Sequence, residues 1–310
     1  MDRLNYHSRS TSTFCTDVSP EFHRHFPDWT VVRTEERLNG LSPGSEVVLW
    51  RDNVGMLTLS RTNDLVDIKY RLRFSDQIAV DISFTERIIV ETATLGLSLA
   101  TRDHFLLDQV LPRMLAHQGK LILHAGSVNY RGQAIVILGK SGSGKSTLAA
   151  SFGQSHASLM GDDACIVSLS KSGARIESVY PSLRLLSDSV EQFFPGSTTK
   201  EVAHYTSKQR VQLEMASPAD SSSLPICAIM AISERPSNDL IEIRDLSVAD
   251  GCMAIISNSF MLDPSDMPMI RHRLDEASAL AAHVHVSEIA YPHDYARLPE
   301  VRAAIFDHLV

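Results

Sequence analysis

Apolar positions alternate with polar ones through the first third of the chain, as in Val66, Ile68, Tyr70 and again in Ile78, Val80, Ile82. A period of two is the signature of half-buried strands. Short runs of this kind fall at 29–33, 46–50, 56–60, 65–72, 77–83 and 87–91, separated by turn formers such as Asn39-Gly40, Ser42-Pro43-Gly44 and Arg51-Asp52-Asn53. Together they predict a small β-rich domain, and the two alternating runs suit antiparallel strands. The period then changes. Phe105, Leu106, Val110, Met114 and Leu115 recur at helical spacing, and Gly119 supplies a stop, which predicts a helix over 103–117. Pro112 lies inside it and predicts a kink or an early break.

Beyond this helix the runs are more continuously apolar. Strands are expected at 120–123 and 134–138, around a turn at 129–132, then at 164–169, 174–179, 210–215, 226–232 and 241–246. Helices are expected at 187–193, 247–257, 268–282 and 298–309, and 217–223 reads as a loop. So few helices between neighbouring strands suit a mixed α/β sheet with helices added better than a doubly wound one. The expected division is residues 1–118, β-rich and ending in the helix, and residues 119–310, α/β.

At 310 residues and 44% hydrophobic, the chain can build a sizeable core in each part. A net charge of −8 gives no overall attraction to nucleic acid or to an anionic membrane surface. Cys15, Cys165, Cys227 and Cys252 are widely spaced, without a CxxC pair, so neither a disulfide framework nor a zinc site is expected of them. No run approaches the roughly 18 apolar residues of a membrane span, and the first residues lack an apolar signal core, so the expectation is a soluble cytoplasmic protein.

One stretch carries specific chemistry. The apolar run 134–138 leads into Gly139-Lys140-Ser141-Gly142-Ser143-Gly144-Lys145-Ser146-Thr147, followed by helix formers. This is a Walker A phosphate-binding loop in the strand–loop–helix context it requires. Its glycines let successive backbone N–H groups turn inward, where phosphate oxygens would sit, and the helix start adds a positive dipole end. Lys145 suits the β- and γ-phosphates, and the Ser146 hydroxyl suits Mg²⁺. The nucleotide-contacting set is therefore Gly139, Ser141, Gly142, Ser143, Gly144, Lys145, Ser146 and Thr147, with ATP and Mg²⁺ as cofactors. A Gly/Ser turn with no ligand is the plain alternative, and the flanking strand and helix disfavour it.

About fifteen residues later Asp162 and Asp163 precede an apolar strand, the reverse of the usual order in which an apolar run ends in Asp. Across a tight bend both carboxylates can reach one metal–phosphate centre, one holding Mg²⁺ and the other accepting a proton. Alone, Asp-Asp is a common turn signal, and only its place after the loop favours function. His124, at the end of the strand 121–123, is evenly balanced between a catalytic and a structural role. Glu177, Arg184, Lys208 and Arg210 are weaker candidates, more simply read as solvated side chains. His23-x-His25 and His283-x-His285 would each set two imidazoles on one strand face, but neither pair has a third ligand close in sequence, and no metal is assigned to them.

His124-Ala125-Gly126, the loop 139–147 and Gly161-Asp162-Asp163, in that order, resemble the HPr kinase/phosphorylase family. The resemblance is firm over about 45 residues and looser to the C-terminus. It implies a P-loop kinase domain of the HPr kinase and phosphoenolpyruvate carboxykinase type, preceded here by the β-rich domain. By position it implies Asp162 as the base facing an acceptor hydroxyl, Asp163 as a metal ligand with Ser146, and His124 near the transferred phosphate. The family's later Gly-Arg-Asn-rich signature has no counterpart, and residues 1–118 do not resemble its upstream domain. The segments 180–194 and 291–299 are similar to stretches of the lasso-peptide kinases, which phosphorylate a C-terminal serine of a precursor peptide.

The expected function is an ATP- and Mg²⁺-dependent kinase acting on a serine or threonine hydroxyl of a peptide or protein, with no nucleic-acid or membrane partner. Homo-oligomerisation stays open, since some relatives are hexamers. A small-molecule kinase built on the same apparatus, and a non-catalytic nucleotide-binding regulator, are the alternatives.

Overall fold

The alternating runs of the first third pair into a six-stranded sheet. The computed structural model describes residues 19–36, 46–52, 55–62, 68–180, 183–203, 206–211, 223–234 and 239–309. Its packing divides the chain into two units, Met1–Leu111 and Pro112–Val310. The division falls inside the helical segment, before the 118/119 boundary expected from sequence.

In the first unit a short helix, α1 (Pro20–His25), precedes β1 (Thr30–Glu35), β2 (Glu46–Arg51), β3 (Leu57–Thr62), β4 (Lys69–Phe74), β5 (Ile78–Ser83) and β6 (Ile88–Ala93). Their order in the sheet is β1-β6-β5-β4-β3-β2. Strands β2 to β6 form an antiparallel meander, but β1 joins parallel to β6. The alternating runs in β4 and β5 pair antiparallel, as their period suggests. Part of the run expected at 65–72 lies outside the described residues. One group of ion pairs is buried here: Glu91 takes both Arg33 and Arg102, and Arg102 also reaches Glu35 at 3.2 Å.

The helical segment is longer than its apolar spacing indicates. It begins as α2 (Leu99–Phe105), capped by the Ser98 side chain, passes through a π-helical turn (Leu106–Val110), and continues as α3 (Leu111–His117). Pro112 does not end it. The Leu111 N–H bonds to the Leu106 carbonyl, five residues back, so the ladder has already widened where the proline ring would clash.

The second unit contains β7 (Leu121–Leu123), β8 (Ala125–Tyr130), β9 (Gln133–Leu138), α4 (Lys145–Phe152), β10 (Ala157–Gly161), β11 (Cys165–Ser170), β12 (Gly173–Ser178), β13 (Leu183–Leu185), α5 (Ser187–Phe193), β14 (Thr199–Glu201), β15 (Gln209–Val211), β16 (Leu224–Ile232), β17 (Glu242–Asp245), α6 (Val248–Ser257), α7 (Met267–His283), β18 (His285–Ala290) and α8 (Leu298–His308). The long strand β16 is central. It pairs in parallel with β9 on one side and β18 on the other. Beyond β9 lie β8 and β10, beyond β18 lies β17, and the start of β16 also carries β12, β11 and β7. A mixed α/β sheet is thus observed. A separate small sheet has the order β13-β15-β14.

Strand β9 explains the continuous apolar run. Ile135 and Ile137 enter a core with Leu148 of α4 and Val301 and Ile305 of α8. Ala134, Val136 and Leu138 enter the opposite core with Ile255 of α6 and Leu280 of α7. A strand buried on both faces loses its alternation.

Strand β8 was not expected, because Ala125-Gly126-Ser127 has neither β-branched residues nor a period. It forms a hairpin with β9 through Arg131 and Gly132, at φ 54° and 80°. Strand β18 also went unread in sequence. His283 ends α7 and His285 opens β18, so these histidines do not share a strand face, and His23 and His25 lie in α1. The expected strand 210–215 is described only to Val211.

Candidate active site

Strand β9 ends at Leu138, the chain turns through 139–144, and α4 begins at Lys145. Two glycines shape the turn. Gly144 caps the helix with φ 92°, which a side chain rarely adopts. A Cβ on Gly139 would stand 2.5 Å from the Ser143 hydroxyl. Ser141 and Gly142 are exposed, and Ser143, Ser146 and Thr147 are half-buried. Thr147 meets Ser189 of α5 at 3.4 Å.

Lys145 is buried and donates to the carbonyls of Gly139 (2.6 Å) and Lys140 (3.1 Å). Burial lowers its pKa, with Lys208 and Arg184 adding to the fall, while Asp162 and Asp163 oppose it. The ammonium, the two carboxylates and two further cations therefore share one neighbourhood.

The two aspartates leave β10 on a tight bend in which Asp163 adopts φ 85°. Their environments then diverge. Asp163 is gripped by Arg184 of β13, whose Nε donates to Oδ2 at 2.5 Å while an Nη meets Oδ1. Burial alone would raise its pKa, but the Arg184 charge and hydrogen bonds outweigh burial and hold it well below the carboxylate range. Asp162 is 1% exposed and neither carboxylate oxygen has a hydrogen-bond partner. Burial first, and the Asp163 charge second, push its pKa up to about 7, against the Ser146 hydroxyl and the Arg184 and Lys208 charges. Two adjacent carboxylates are thereby held in opposite protonation regimes near neutral pH.

His124 lies beside them. Burial and the Lys145 charge bring its pKa down to about 4, against the pull of Asp163. The imidazole is neutral at pH 7, and it packs edge-on against Phe260 with centroids 5.9 Å apart.

The hard oxygen donors at the loop are the Ser146 hydroxyl and the unpartnered Asp162 carboxylate, and these suit Mg²⁺. Asp163, the expected metal ligand, does not fit as it stands, because both its oxygens hold Arg184. Of the weaker candidates, Arg184 and Lys208 act on the aspartates and Lys145. Arg210 pairs with Arg184 across β13 and β15, and Glu177 stands opposite Ile166 in the β11–β12 ladder.

Two contributors carry no local sequence signal. Asn258, at the end of α6, accepts from the Gly139 N–H at 3.2 Å through its side chain and from the His124 N–H at 2.7 Å through its carbonyl. Tyr291 brings its hydroxyl within 3.3 Å of where a Gly144 Cβ would lie. The segments 180–194 and 291–299 also meet: the Tyr295 hydroxyl bonds Ser189 (2.8 Å) and Asp188 (2.9 Å).

No family model matches the chain and no curated protein matches it. Among solved structures, that of the Hpr(Ser) kinase/phosphatase from Coxiella burnetii is similar over 60% of this chain and 89% of its own, at 11% identity and a TM-score of 0.32. A likeness so distant has no bearing on the site's chemistry. No helix among the described residues is long and apolar enough to cross a membrane.

Proposed function

We propose that the second unit is an ATP-dependent kinase that transfers the γ-phosphoryl group to a serine or threonine hydroxyl of a peptide or protein. The observation that carries this reading is the buried, unpartnered Asp162 carboxylate beside Ser146 and Lys145, at the start of the helix that follows the phosphate loop. The loop N–H groups and Lys145 bind the β- and γ-phosphates. Ser146 would hold Mg²⁺, which when bound draws charge from those phosphates. With a pKa near 7, Asp162 can accept the acceptor's proton at neutral pH. Asp163 acts as a positioning residue that aims Arg184, so that Arg184, Lys145 and Lys208 together offset charge on the transferring group. His124, neutral, can share a hydrogen bond with a phosphate oxygen without adding charge.

The acceptor follows from the resemblance of 180–194 and 291–299 to lasso-peptide kinases, and the first candidate is a precursor peptide ending in serine. The test is phosphate addition to such a peptide, read by mass spectrometry with ATP and Mg²⁺. Asp162→Asn should cut the rate by about 10²-fold or more, and Lys145→Ala should weaken ATP binding at least about tenfold. Asp163→Asn should raise KM for ATP more than it lowers kcat, because it releases Arg184. Phosphate on a small hydroxyl compound but on no peptide would replace the acceptor class. Wild-type rates in both Asp variants would end the kinase reading.

A further inference from the structure

Outside the phosphate loop, side chains from three regular elements converge. Asp245 ends β17, His285 opens β18 and His308 ends α8. One carboxylate oxygen and one ring nitrogen from each histidine all lie within 4.8 Å of one another. Asp245 Oδ1 is 2.7 Å from His285 Nε2 and 3.0 Å from His308 Nε2. The Ser287 hydroxyl, fully buried, meets the same oxygen at 3.0 Å and His308 Nε2 at 3.0 Å. Three polar atoms thus crowd one carboxylate oxygen that offers two lone pairs. A cation in place of the imidazole protons would relieve this crowding.

We propose that Asp245, His285 and His308 bind one divalent transition-metal ion of the Zn²⁺ class. Two imidazole nitrogens and one carboxylate oxygen are a donor set that zinc accepts, with a fourth position left for water. Ligands about 2.0–2.1 Å from a tetrahedral ion stand about 3.3 Å apart, so the carboxylate oxygen, now 2.7 Å from one imidazole nitrogen and 3.0 Å from the other, needs to part from them by about 0.6 and 0.3 Å. The frame is preset. Asp245 is the register partner of Ser287 in the β17–β18 ladder, and His285 lies two residues from Ser287, on the same face. His308 sits in the last turn of α8, where carbonyl ends favour a cation. Ser287 orients the Asp245 and His308 donors from beneath. Bound metal would tie the end of the final helix to β17.

The experiment titrates Zn²⁺ alone into untagged, chelator-treated full-length chain without nucleotide, followed by calorimetry. The expected result is saturable binding of one ion per chain, weakened at least about tenfold in His285→Ala/His308→Ala and retained in Asp162→Asn. Absence of saturable binding overturns the site, as does binding that survives the double substitution or vanishes with Asp162→Asn. Should the double variant fail to fold, the wild-type chain decides. Zn²⁺ must then protect His285 and His308 from diethylpyrocarbonate, mapped by peptide mass, and unprotected imidazoles refute the proposal.

Discussion

Asp162 and Asp163 are neighbours in sequence and opposites in charge behaviour, and their difference can be measured. Asp162 has its folded pKa raised to about 7 by burial and by Asp163. Between the ordinary carboxylate value, about 4, and pH 7 the unfolded chain has lost this proton while the folded chain keeps it. Stability therefore falls as pH rises through that window, by on the order of a few kcal/mol. Asp163 is shifted the other way, so its contribution is present above the ordinary carboxylate value and is lost only at lower pH. His124, brought down to about 4, gives a rise in stability with pH between about 4 and 6.5. Comparing wild type with Asp162→Asn isolates the first effect. The variant's Tm, relative to wild type, should climb from about pH 5 to 7.5, and a flat difference would show that Asp162 is already ionised in the folded protein. The Asp pair, Lys145 and Ser146 were legible because their chemistry is local in sequence. The partner of Asp163 was not, since Arg184 reaches it across 21 residues and a lone arginine looks like any solvated one.

At the level of elements, α6 does more than cover the sheet. Its C-terminal Asn258 bonds the first glycine of the phosphate loop through the side chain and His124 through the backbone. The same side chain donates to the Ala254 carbonyl at 2.9 Å. Asn258→Ala removes both side-chain bonds and leaves the Gly139 N–H without this acceptor. At about 1 kcal/mol for each bond, Tm should fall by roughly 4–8 °C. ATP affinity should drop about tenfold while the backbone bond to His124 persists, and thermal melts with calorimetry check both. Unchanged ATP affinity would show that the loop holds its shape without α6. Helices α6, α7 and α8 lie where sequence placed them, and in the structure the Ser247 and Asp266 side chains cap the first two. Strand β8 was not, because its small residues are chosen for close approach: a Cβ on Gly126 would lie 3.3 Å from that of Ala149. The π-helical turn before Pro112 was likewise invisible, since the apolar spacing around it is compatible with plain α-helix.

For the whole molecule, the division at Leu111 and Pro112 gives α3 to the second unit. Arg113 of α3 stacks on Phe260 at 5.4 Å, and Phe260 packs on His124. A fragment starting at Pro112 should therefore remain soluble and bind ATP. One starting at Gly119 should bind more weakly or precipitate, as sedimentation and nucleotide titration will show, and equal behaviour of the two would place α3 outside the second unit's core. Helical periodicity runs through this point without interruption, so the sequence carries no mark of it. The place of β16 has a further consequence, for the order of assembly. Its partners β9 and β18 are parallel neighbours drawn from before and after it, with Ala134 facing Ile226 and Ile232 facing Ile289. During synthesis the phosphate loop emerges long before the strand that flanks it, and that strand waits in turn for β18. Contacts so distant in sequence form slowly. The nascent chain must therefore carry an apolar β9 with an open edge for some 90 residues of elongation, which makes this stretch a natural client for chaperones.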